Sequence, residues 1–488
     1  RRALMASPAS PTQKSSVRAS ALERVGFSVA AVAAIGLSML LVSTFDYGRD
    51  QGIYALVARE TLAGGAPYRD AFDFKPPGIF AVYALARGLF GPSMAGVRVL
   101  EVLAMAVSAW ALVRLARRHL GGAAVGLLAA VIASQIHAQL DFWHTAQPET
   151  FGGTLTLLGL VSHARAQDAT RAGARRWLVL CGALFGLAGL MKPPLAGVGA
   201  LVGIVHGLAA WRTARAEGRR PDVRLVLERV ALVAVGGALP FALTAAWFAS
   251  KGALGDLHQV LFVFTPHYTK ISWQGASVSA MAYYGVAEWL TTYSSALLLG
   301  FVCLAVTVHR SPGKGFLLLV LGAIGVHIAG IVMQAKFFQY HWGATFPLSA
   351  LLAATGLVRV HELARERSRW LGGAFALAAL AIATVKMPVP SFGDTFFARS
   401  EQRLALLGSG DRRSWDALAS VADVDAAQNR AVAQFLREHT EAGDAVFVWG
   451  FEPVIYDLAD RPLASRYIYN VPQRATWSSG STPSSPTW

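Results

Sequence analysis

The stretch DYGRDQGIYALVARETLAGGAPYRDAFDFKPP, residues 46–77, lies between the first two apolar blocks of the chain. Apolar residues recur at helical spacing in its first half, which predicts a short amphipathic helix over Asp50–Ala63. The glycine pair at 64–65 ends this helix, and Pro-Tyr-Arg-Asp at 67–70 predicts a turn. A lysine and two prolines, residues 75–77, then begin the second apolar block. The stretch is therefore a structured loop beside a hydrophobic segment.

This loop concentrates charge where charge is costly. It contains the aspartates Asp46, Asp50, Asp70 and Asp73, together with Lys75. An ionised group at the edge of a membrane raises the free energy unless water solvates it or the protein uses it. The loop is therefore the first candidate for a functional site.

The composition indicates a membrane protein. Of 488 residues, 54% are hydrophobic and only 15% are charged. Apolar runs of membrane-spanning length recur along the chain, and a lipid-exposed backbone must satisfy its own hydrogen bonds. The predicted fold class is a polytopic α-helical membrane protein with about 11–12 transmembrane segments. The apolar blocks cover residues 25–45, 77–90, 97–115, 123–140, 151–161, 177–191, 195–210, 230–249, 286–308, 316–333, 344–358 and 370–385.

The net charge of +15 does not indicate nucleic-acid binding. Most basic residues lie in short loops between apolar blocks, where they determine topology and contact anionic lipid headgroups. The two cysteines, Cys181 and Cys303, both lie within apolar blocks, so no disulfide or metal framework is expected.

Composition divides the chain into four regions. Residues 1–24 are predicted to be a disordered cytoplasmic terminus, and residues 25–386 a transmembrane domain with 46–77 as its first external loop. Residues 387–471 are predicted to be an external α/β region that stops early, with helices at 425–439 and 452–459 and strands at 444–449 and 464–469. Residues 472–488 form a low-complexity tail.

The positions of the basic clusters conflict with a simple count of crossings. If each early block crossed fully, the arginines at 114–118 would lie outside, against the positive-inside rule. The block 77–90 is short and is expected to be re-entrant or strongly tilted. The polar, weakly basic loops then share the external face, which predicts one external site. These loops are residues 46–77, 137–149, 192–194, 251–284 and 334–341.

Asp50 is the candidate catalytic carboxylate. A carboxylate at the interface can act as general base toward an acceptor hydroxyl within hydrogen-bond reach. The alternative is that Asp50 is only the N-cap of the helix that starts there.

Two lysines, Lys75 and Lys192, each precede two prolines at the mouth of an apolar block. Their ammonium groups are candidates for binding a phosphate in a site of low dielectric. The alternative is that each extends to the headgroup layer, as lysines near helix ends do.

The segment QAKFFQYHW, residues 334–342, is a third polar and aromatic cluster at the same face. Lys336 and His341 are candidate phosphate ligands, and the aromatic residues are candidates for lining a sugar or prenyl site. The alternative is an interfacial aromatic belt. Glu149 can instead be a favourable acid in a first helical turn. The candidate substrate-binding residues are Tyr54, Asp70, Asp73, Glu149, His267 and Tyr340.

No Walker, zinc or dinucleotide motif is present in the sequence. No cofactor is therefore expected to be required. A divalent metal is compatible with Asp70 and Asp73, although their spacing does not demand one.

These stretches together resemble the bacterial GT-C superfamily of membrane glycosyltransferases, in particular its protein O-mannosyltransferase-like and aminoarabinose-transferase-like members. The resemblance covers most of residues 45–471. Its specific part is RDQGIYALVARETLAGGAPYRDAFDFKPPG, and AQPETF, GLMKPP, QAKFFQYHW and DAVFVWGFEPVIYDLADRPLASRYIY add to it.

The resemblance implies inverting transfer of a sugar from a polyprenyl-phosphate donor to a glycan, lipid or protein acceptor at the external face of the bacterial inner membrane. By position, Asp50 matches the family's loop carboxylate and Lys75 its basic residue near the lipid phosphate. Many protein mannosyltransferases have an Asp-Glu pair here, whereas Gln51 follows Asp50. A glycolipid or polysaccharide acceptor is therefore expected at least as much as a protein. Two alternatives remain: a transporter or flippase for lipid-linked sugars, and an oligosaccharide polymerase or ligase.

Overall fold

A computed structural model of the chain describes residues 11–218, 220, 222–272, 277–292, 295–385, 393–421 and 424–470. Within these ranges the backbone is almost entirely helical, and no β-sheet forms. The helices before the C-terminal segment are α1 Pro11–Ser43, α2 Arg49–Leu62, α3 Gly78–Phe90, α4 Met94–His119, α5 Ala123–Gln139, α6 Pro148–Asp168, α7 Arg171–Met191, α8 Gly197–Ala216, α9 Val223–Ser250, α10 Leu254–His258, α11 Thr265–Ser272, α12 Val278–Thr292, α13 Ser295–Thr307, α14 Lys314–Gln334, α15 Phe346–Arg367 and α16 Arg369–Val385. The C-terminal segment, residues 393–470, contains α17 Phe396–Ala405, α18 Arg412–Leu418, α19 Ala426–His439 and α20 Val454–Ala459.

Every predicted apolar block is helical where the structure describes it. The block 286–308 divides between α12 and α13, with residues 293–294 outside the described ranges. By length and composition, 6 of the described helices can cross a membrane, and four shorter apolar helices accompany them. The chain is thus a multi-pass membrane protein, while the predicted 11–12 crossings stay a prediction.

Helix α3 is too short for a simple crossing. Its 13 residues span about 20 Å, whereas the hydrocarbon core is about 30 Å thick. This length agrees with the expectation that the block 77–90 does not cross like its neighbours.

Helices α6 and α15 are largely enclosed by other parts of the protein. Residues 348–357 of α15 are all buried, as is most of α6, whereas only 17% of the most apolar window of α9 is buried. A helix enclosed by other helices contacts protein rather than lipid, so it tolerates polar residues that bond within the bundle. Glu149 at the start of α6 and the turn before α15 are thereby held inside the molecule.

Close packing at Gly330 brings two predicted site segments together. Pro194 packs directly on this α14 glycine, where a Cβ would lie 2.2 Å from the Cβ of Pro194. Small residues permit such close approach between membrane helices. The contact places the turn that follows Lys192 beside the end of α14, which leads to residues 334–342.

Basic residues cluster at the C-terminal end of α4. A small pocket there is lined by Arg114, Arg117, Arg118 and Arg165. Arg98, near the start of α4, lies roughly 28 Å from Arg117 along the helix axis, which is close to the thickness of a bilayer core.

The structure corrects two expectations about irregular segments. The terminus predicted to be disordered up to residue 24 is helical from Pro11, because α1 continues past the apolar run; residues 1–10 lie outside the described ranges. The predicted loop 251–284 is mostly helical, with α10, a π-helix over Gln259–Phe264, α11 and the start of α12. Its apolar residues Val260 and Phe264 pack into the core, which stabilises helix here.

The C-terminal segment is not the predicted α/β region. Its two predicted helices are present as α19 and α20, but residues 444–449 and 464–469 form no strands. Val446 forms one isolated bridge with Leu463, through backbone hydrogen bonds of 3.0 Å with Pro462 and Ala464. Strands need neighbours along their length, and these residues pack on the loop 46–77 instead. The predicted low-complexity tail, residues 472–488, lies outside the described ranges.

Candidate functional site

The polar segments predicted to share the external face line one large cavity among the described residues. Its volume is about 1510 Å³, and helices, loops and the C-terminal segment all contribute to it. The predicted residues that line it are Asp50, Asp73, Lys75, Glu149, Lys192, Lys336, Tyr340 and His341. The predicted segments thus meet at one cavity, while its role as a site on the external face stays a prediction.

Asp50 lies in the first turn of α2 but does not cap the helix. The N-cap is Gly48, so the alternative role considered for Asp50 is wrong. The carboxylate of Asp50 lies 3.9 Å from the Lys75 amine and 3.4 Å from the Gln147 amide nitrogen. It is therefore available inside the cavity, beside a cation.

Gln51 holds the start of α2 in place. Its side chain is fully buried, and its Oε1 accepts a hydrogen bond of 3.0 Å from the Gly48 N–H. Its Nε2 donates to the carbonyl oxygens of Phe142 at 2.9 Å and Thr145 at 2.6 Å. A glutamate could not donate these two bonds, which explains why an Asp-Gln pair suits this loop.

Lys75 is the central cation of the cavity. Its amine donates a 3.2 Å hydrogen bond to the Tyr340 hydroxyl and also lies 5.1 Å from the centre of that ring. Burial opposes the charge, but Tyr340, Asp50 and Asp73 outweigh it and raise the pKa of Lys75 above its ordinary value. The residue is positively charged at neutral pH.

Lys192 forms a buried ion pair with Glu149. It therefore does not extend to the headgroup layer, and Glu149 is more than a first-turn acid. Burial lowers the pKa of Lys192, with Glu149 opposing that effect. Within the described part of the chain, Oε2 of Glu149 has no hydrogen-bond partner. The pair contributes structure and nearly balanced charge to the cavity wall.

Lys336 and His341 differ in what they can offer an anion. The Lys336 amine lies 3.4 Å from the centre of the Tyr268 ring, and burial, with Lys75 and Lys192 nearby, lowers its pKa to about 7. Nδ1 of His341 lies 2.6 Å from the Lys336 carbonyl oxygen, so it must carry the proton and donate. Burial holds the pKa of His341 well below its usual range, and the ring is neutral.

Three predicted substrate-binding residues do not line the cavity. Tyr54 lies behind it, fully buried, and its hydroxyl donates to Gln147 at 2.9 Å. Asp70 stabilises the turn, accepting from the Ala66 N–H at 2.7 Å and pairing with Arg69 at 2.9 Å. His267 lies on α11, and its neighbour Tyr268 reaches the cavity instead.

A buried charged network supports the site and was missed by the sequence-based expectations. Arg98 pairs with Glu101 at 2.6 Å and donates to the carbonyl oxygens of Phe45 at 3.2 Å and Asp46 at 2.6 Å. Glu101 also bonds His137 at 2.8 Å. The network ties α4 to the first loop. Two opposite charges within an apolar block were the available signal.

Glu101 also accepts from the Ala146 N–H, next to Gln147. Arg98 donates to the Thr145 hydroxyl at 2.9 Å. Residues 145–147 are thereby fixed relative to α4, and Gln147 in turn bonds Asp50. The geometry of Asp50 thus depends on groups that do not line the cavity.

The described residues contain no group of three or more histidine, cysteine, aspartate or glutamate side chains that converge as metal ligands. Asp70 and Asp73, considered together for a metal, have different roles: Asp70 caps a turn and Asp73 lines the cavity.

Comparison with known proteins gives a family-model match over part of the chain. Residues 74–215 match the family model of dolichyl-phosphate-mannose-protein mannosyltransferases. No curated protein matches the chain by sequence.

Solved structures share the fold. ArnT from Cupriavidus metallidurans bound to undecaprenyl phosphate has a TM-score of 0.50 at 16% identity, over 90% of this chain and 87% of that one. Its apo state gives 0.52 at 15% identity, over 90% and 86%. The apo oligosaccharyltransferase of Archaeoglobus fulgidus gives 0.47 at 13% identity, over 91% and 65%. With a sequence match over residues 74–215 and the ArnT fold over nine-tenths of the chain, the resemblance to the GT-C membrane glycosyltransferases is confirmed.

Proposed function

We propose that the protein is an inverting glycosyltransferase that moves a sugar from a polyprenyl-phosphate donor to an acceptor hydroxyl. The carrying observation is the position of the Lys75 amine, 3.9 Å from the Asp50 carboxylate and 3.2 Å from the Tyr340 hydroxyl. A phosphate needs a cation, and an attacking hydroxyl needs a base. The cavity holds a candidate base, Asp50, and a candidate phosphate-binding cation, Lys75, side by side.

On the donor side, Lys75 and the Tyr340 hydroxyl bind the lipid phosphate. Lys336, whose amine lies 5.6 Å from the centre of the Phe74 ring, adds charge when it is protonated. Lys192 is paired with Glu149. It either turns from Glu149 toward the phosphate or stays paired and forms the cavity wall beside the phosphate. His341 acts as a neutral, oriented group rather than as a cation. Undecaprenyl phosphate bound to ArnT supports a lipid phosphate in this fold.

The chemical step exchanges one C–O bond for another. Asp50 accepts the proton of the acceptor hydroxyl, whose oxygen attacks the anomeric carbon from the face opposite the phosphate. The bond from that carbon to the phosphate oxygen breaks, and the electron pair leaves with the polyprenyl phosphate. Lys75 stabilises the charge that develops there. Configuration at the anomeric carbon is inverted, and the step needs no cofactor.

The acceptor is a glycolipid, a polysaccharide or a protein. The cavity lies at the end of α4 opposite the arginine pocket, and the positive-inside rule assigns arginine-rich ends to the cytoplasm. We therefore place the active site and the C-terminal segment on the external side of the bacterial inner membrane.

Replacement of Asp50 tests this function. Membranes or detergent-solubilised protein are incubated with a panel of radiolabelled polyprenyl-phosphate sugars, and transfer to endogenous or added acceptors is measured. Asp50→Asn is expected to lower transfer by about 100-fold or more, because it removes the base. Undecaprenyl phosphate binding is expected to remain. Asp70→Asn is the matched control, since Asp70 belongs to the same loop but does not line the cavity.

The outcomes separate the alternatives. Normal transfer by Asp50→Asn contradicts the mechanism. If the wild type transfers no sugar but moves lipid-linked sugar across vesicles, the protein is a transporter. A donor that carries a sugar chain rather than one sugar indicates a polymerase or ligase.

A further inference from the structure

The C-terminal segment is bonded directly to the first loop. The Phe72 N–H donates to the Arg466 carbonyl oxygen at 2.7 Å. On neighbouring surfaces, Arg87 pairs with Asp457 at 2.8 Å. These contacts attach the segment to the first loop and to α3.

Two aromatic residues of this segment form part of the cavity wall. Phe451 and Tyr469 both line it, and their rings stack with centroids 5.1 Å apart and an angle of 15°. The Arg49 guanidinium covers the Phe451 ring at 5.1 Å and pairs with Glu452 at 2.9 Å. The wall is therefore a rigid aromatic surface with a fixed orientation.

Asp73 connects this surface to the reaction centre. The Tyr469 hydroxyl donates to Oδ1 of Asp73 at 2.7 Å, and both side chains are 1% exposed. Among the described residues, no hydrogen-bond partner reaches Oδ2 of Asp73. Asp73 also lines the cavity and lies only two positions before Lys75. A buried carboxylate oxygen without a donor is costly, so a ligand hydroxyl there would be stabilising.

Sugars combine the two features that this wall matches. A pyranose or furanose ring presents C–H groups on its faces, which pack on aromatic rings, and hydroxyls at its edge, which need acceptors. In the donor the sugar is joined directly to the phosphate that Lys75 binds. The ring must therefore lie within a few ångströms of Lys75, where Asp73 is found.

We propose that Phe451, Tyr469 and Asp73 form a sugar-binding wall, so that the C-terminal segment helps to select the sugar that is transferred. The inference rests on the proposed function, because it requires the donor phosphate at Lys75. Phe451 packs on the ring of the sugar, and Oδ2 of Asp73 accepts from one of its hydroxyls. Tyr469 positions Asp73 through its hydroxyl and stacks on Phe451.

Binding of sugar-free and sugar-linked lipid separates this role from phosphate binding. The full chain in detergent is titrated with undecaprenyl phosphate and with its mannosyl, glucosyl, galactosyl and aminoarabinosyl esters. The wild type is expected to bind one ester more tightly than the others. Phe451→Ala is expected to weaken binding of that ester about 5- to 10-fold, with the affinity for undecaprenyl phosphate unchanged within about twofold.

Asp73→Asn provides a second, chemically different variant. The amide oxygen still accepts from Tyr469, but an NH₂ group replaces the free acceptor oxygen. The preferred ester is expected to bind about 10-fold more weakly, while undecaprenyl phosphate binds equally well or better, since one competing carboxylate near Lys75 is lost. Phe447→Ala is the matched control, because Phe447 belongs to the same segment, is 40% exposed and does not line the cavity.

Three results would contradict the proposed sugar-binding wall. All esters binding equally well would show no sugar selection. Equal losses for the ester and the sugar-free lipid in Phe451→Ala would show that the residue acts through folding alone. No loss for either would show that it does not contact the sugar. Failure of the wild type to bind undecaprenyl phosphate at all would instead contradict the proposed function.

Discussion

The Lys75 amine lies 3.2 Å from the Tyr340 hydroxyl, although 265 positions separate the two residues in the chain. This contact joins the end of the first loop to the turn before α15. It brings two separate motifs, FKPP and QYHW, together at the proposed phosphate site. The hydroxyl is close enough to share a bound phosphate oxygen with the amine.

Removal of the Tyr340 hydroxyl tests this shared role. Tyr340→Phe keeps the ring beside Lys75 and removes one hydrogen bond, so the affinity for undecaprenyl phosphate is expected to fall roughly 2- to 10-fold. Lys75→Met removes the charge and is expected to cost on the order of 100-fold. Binding in detergent measures both. Tyr283→Phe is the control, because Tyr283 is 70% exposed on α12. Equal affinities for Tyr340→Phe and wild type would remove Tyr340 from the phosphate site.

Lys336 predicts how donor binding depends on pH. Because burial and neighbouring lysines lower its pKa to about 7, the free protein carries this charge below pH 7 and loses it above. A bound phosphate favours the ammonium form, so affinity is expected to be highest below pH 7 and to fall about tenfold between pH 6 and pH 8. A sugar phosphodiester is the appropriate donor, since its own charge stays constant over this range.

Lys336→Arg separates this effect from other titrations. Arginine stays protonated throughout, so the variant is expected to show a flat affinity profile from pH 6 to pH 8. An unchanged slope in Lys336→Arg would assign the titration to another group.

The residues that line the cavity could be predicted from the sequence better than the buried network that positions them. The sequence pattern could indicate these residues because polar groups beside apolar blocks are conspicuous and helical periodicity is local. They include Asp50, Lys75, Lys192 and Tyr340. The hydrogen bond from Tyr469 to Asp73 spans 396 positions, so no local pattern could indicate it.

The strand predictions in the C-terminal segment failed for a related reason. Alternating patterns show that a segment can be extended, but a strand also requires a partner along its length. Residues 444–449 find only one bridge. Polar residues were equally hard to interpret. In the sequence, Gln51 was only a departure from the Asp-Glu pair of related enzymes, whereas in the structure its amide donates hydrogen bonds to the carbonyl oxygens of Phe142 and Thr145.

Gln51 predicts a large cost for restoring that acidic pair. Gln51→Glu replaces two donors with a carboxylate facing the carbonyl oxygens of Phe142 and Thr145, in a fully buried position. The variant is expected to lose at least about 1–3 kcal/mol of stability. Thermal unfolding in detergent measures the change, and Gln402→Glu on the exposed face of α17 is the control. A Gln51→Glu protein as stable as wild type would contradict the assigned bonds.

The pair of Arg98 and Glu101 predicts strong non-additivity. Both side chains are at most 1% exposed, so removal of one partner leaves the other charge buried. Arg98→Ala and Glu101→Ala are each expected to cost about 3–5 kcal/mol, and the double variant clearly less than their sum. Thermal unfolding of the single and double variants completes the cycle. Sugar transfer is expected to fall with them, since residues 145–147 position Asp50.

The matched control for this cycle has the same spacing on a different helix. Arg359 and Glu362 on α15 pair at 2.9 Å, but their side chains are 28% and 51% exposed. Water replaces the lost partner there, so each single variant is expected to cost no more than about 1 kcal/mol, with additive effects. Losses of stability as small as this at Arg98 and Glu101 would show that water reaches their network. The position of Asp50 would then depend on Gln51 rather than on this network.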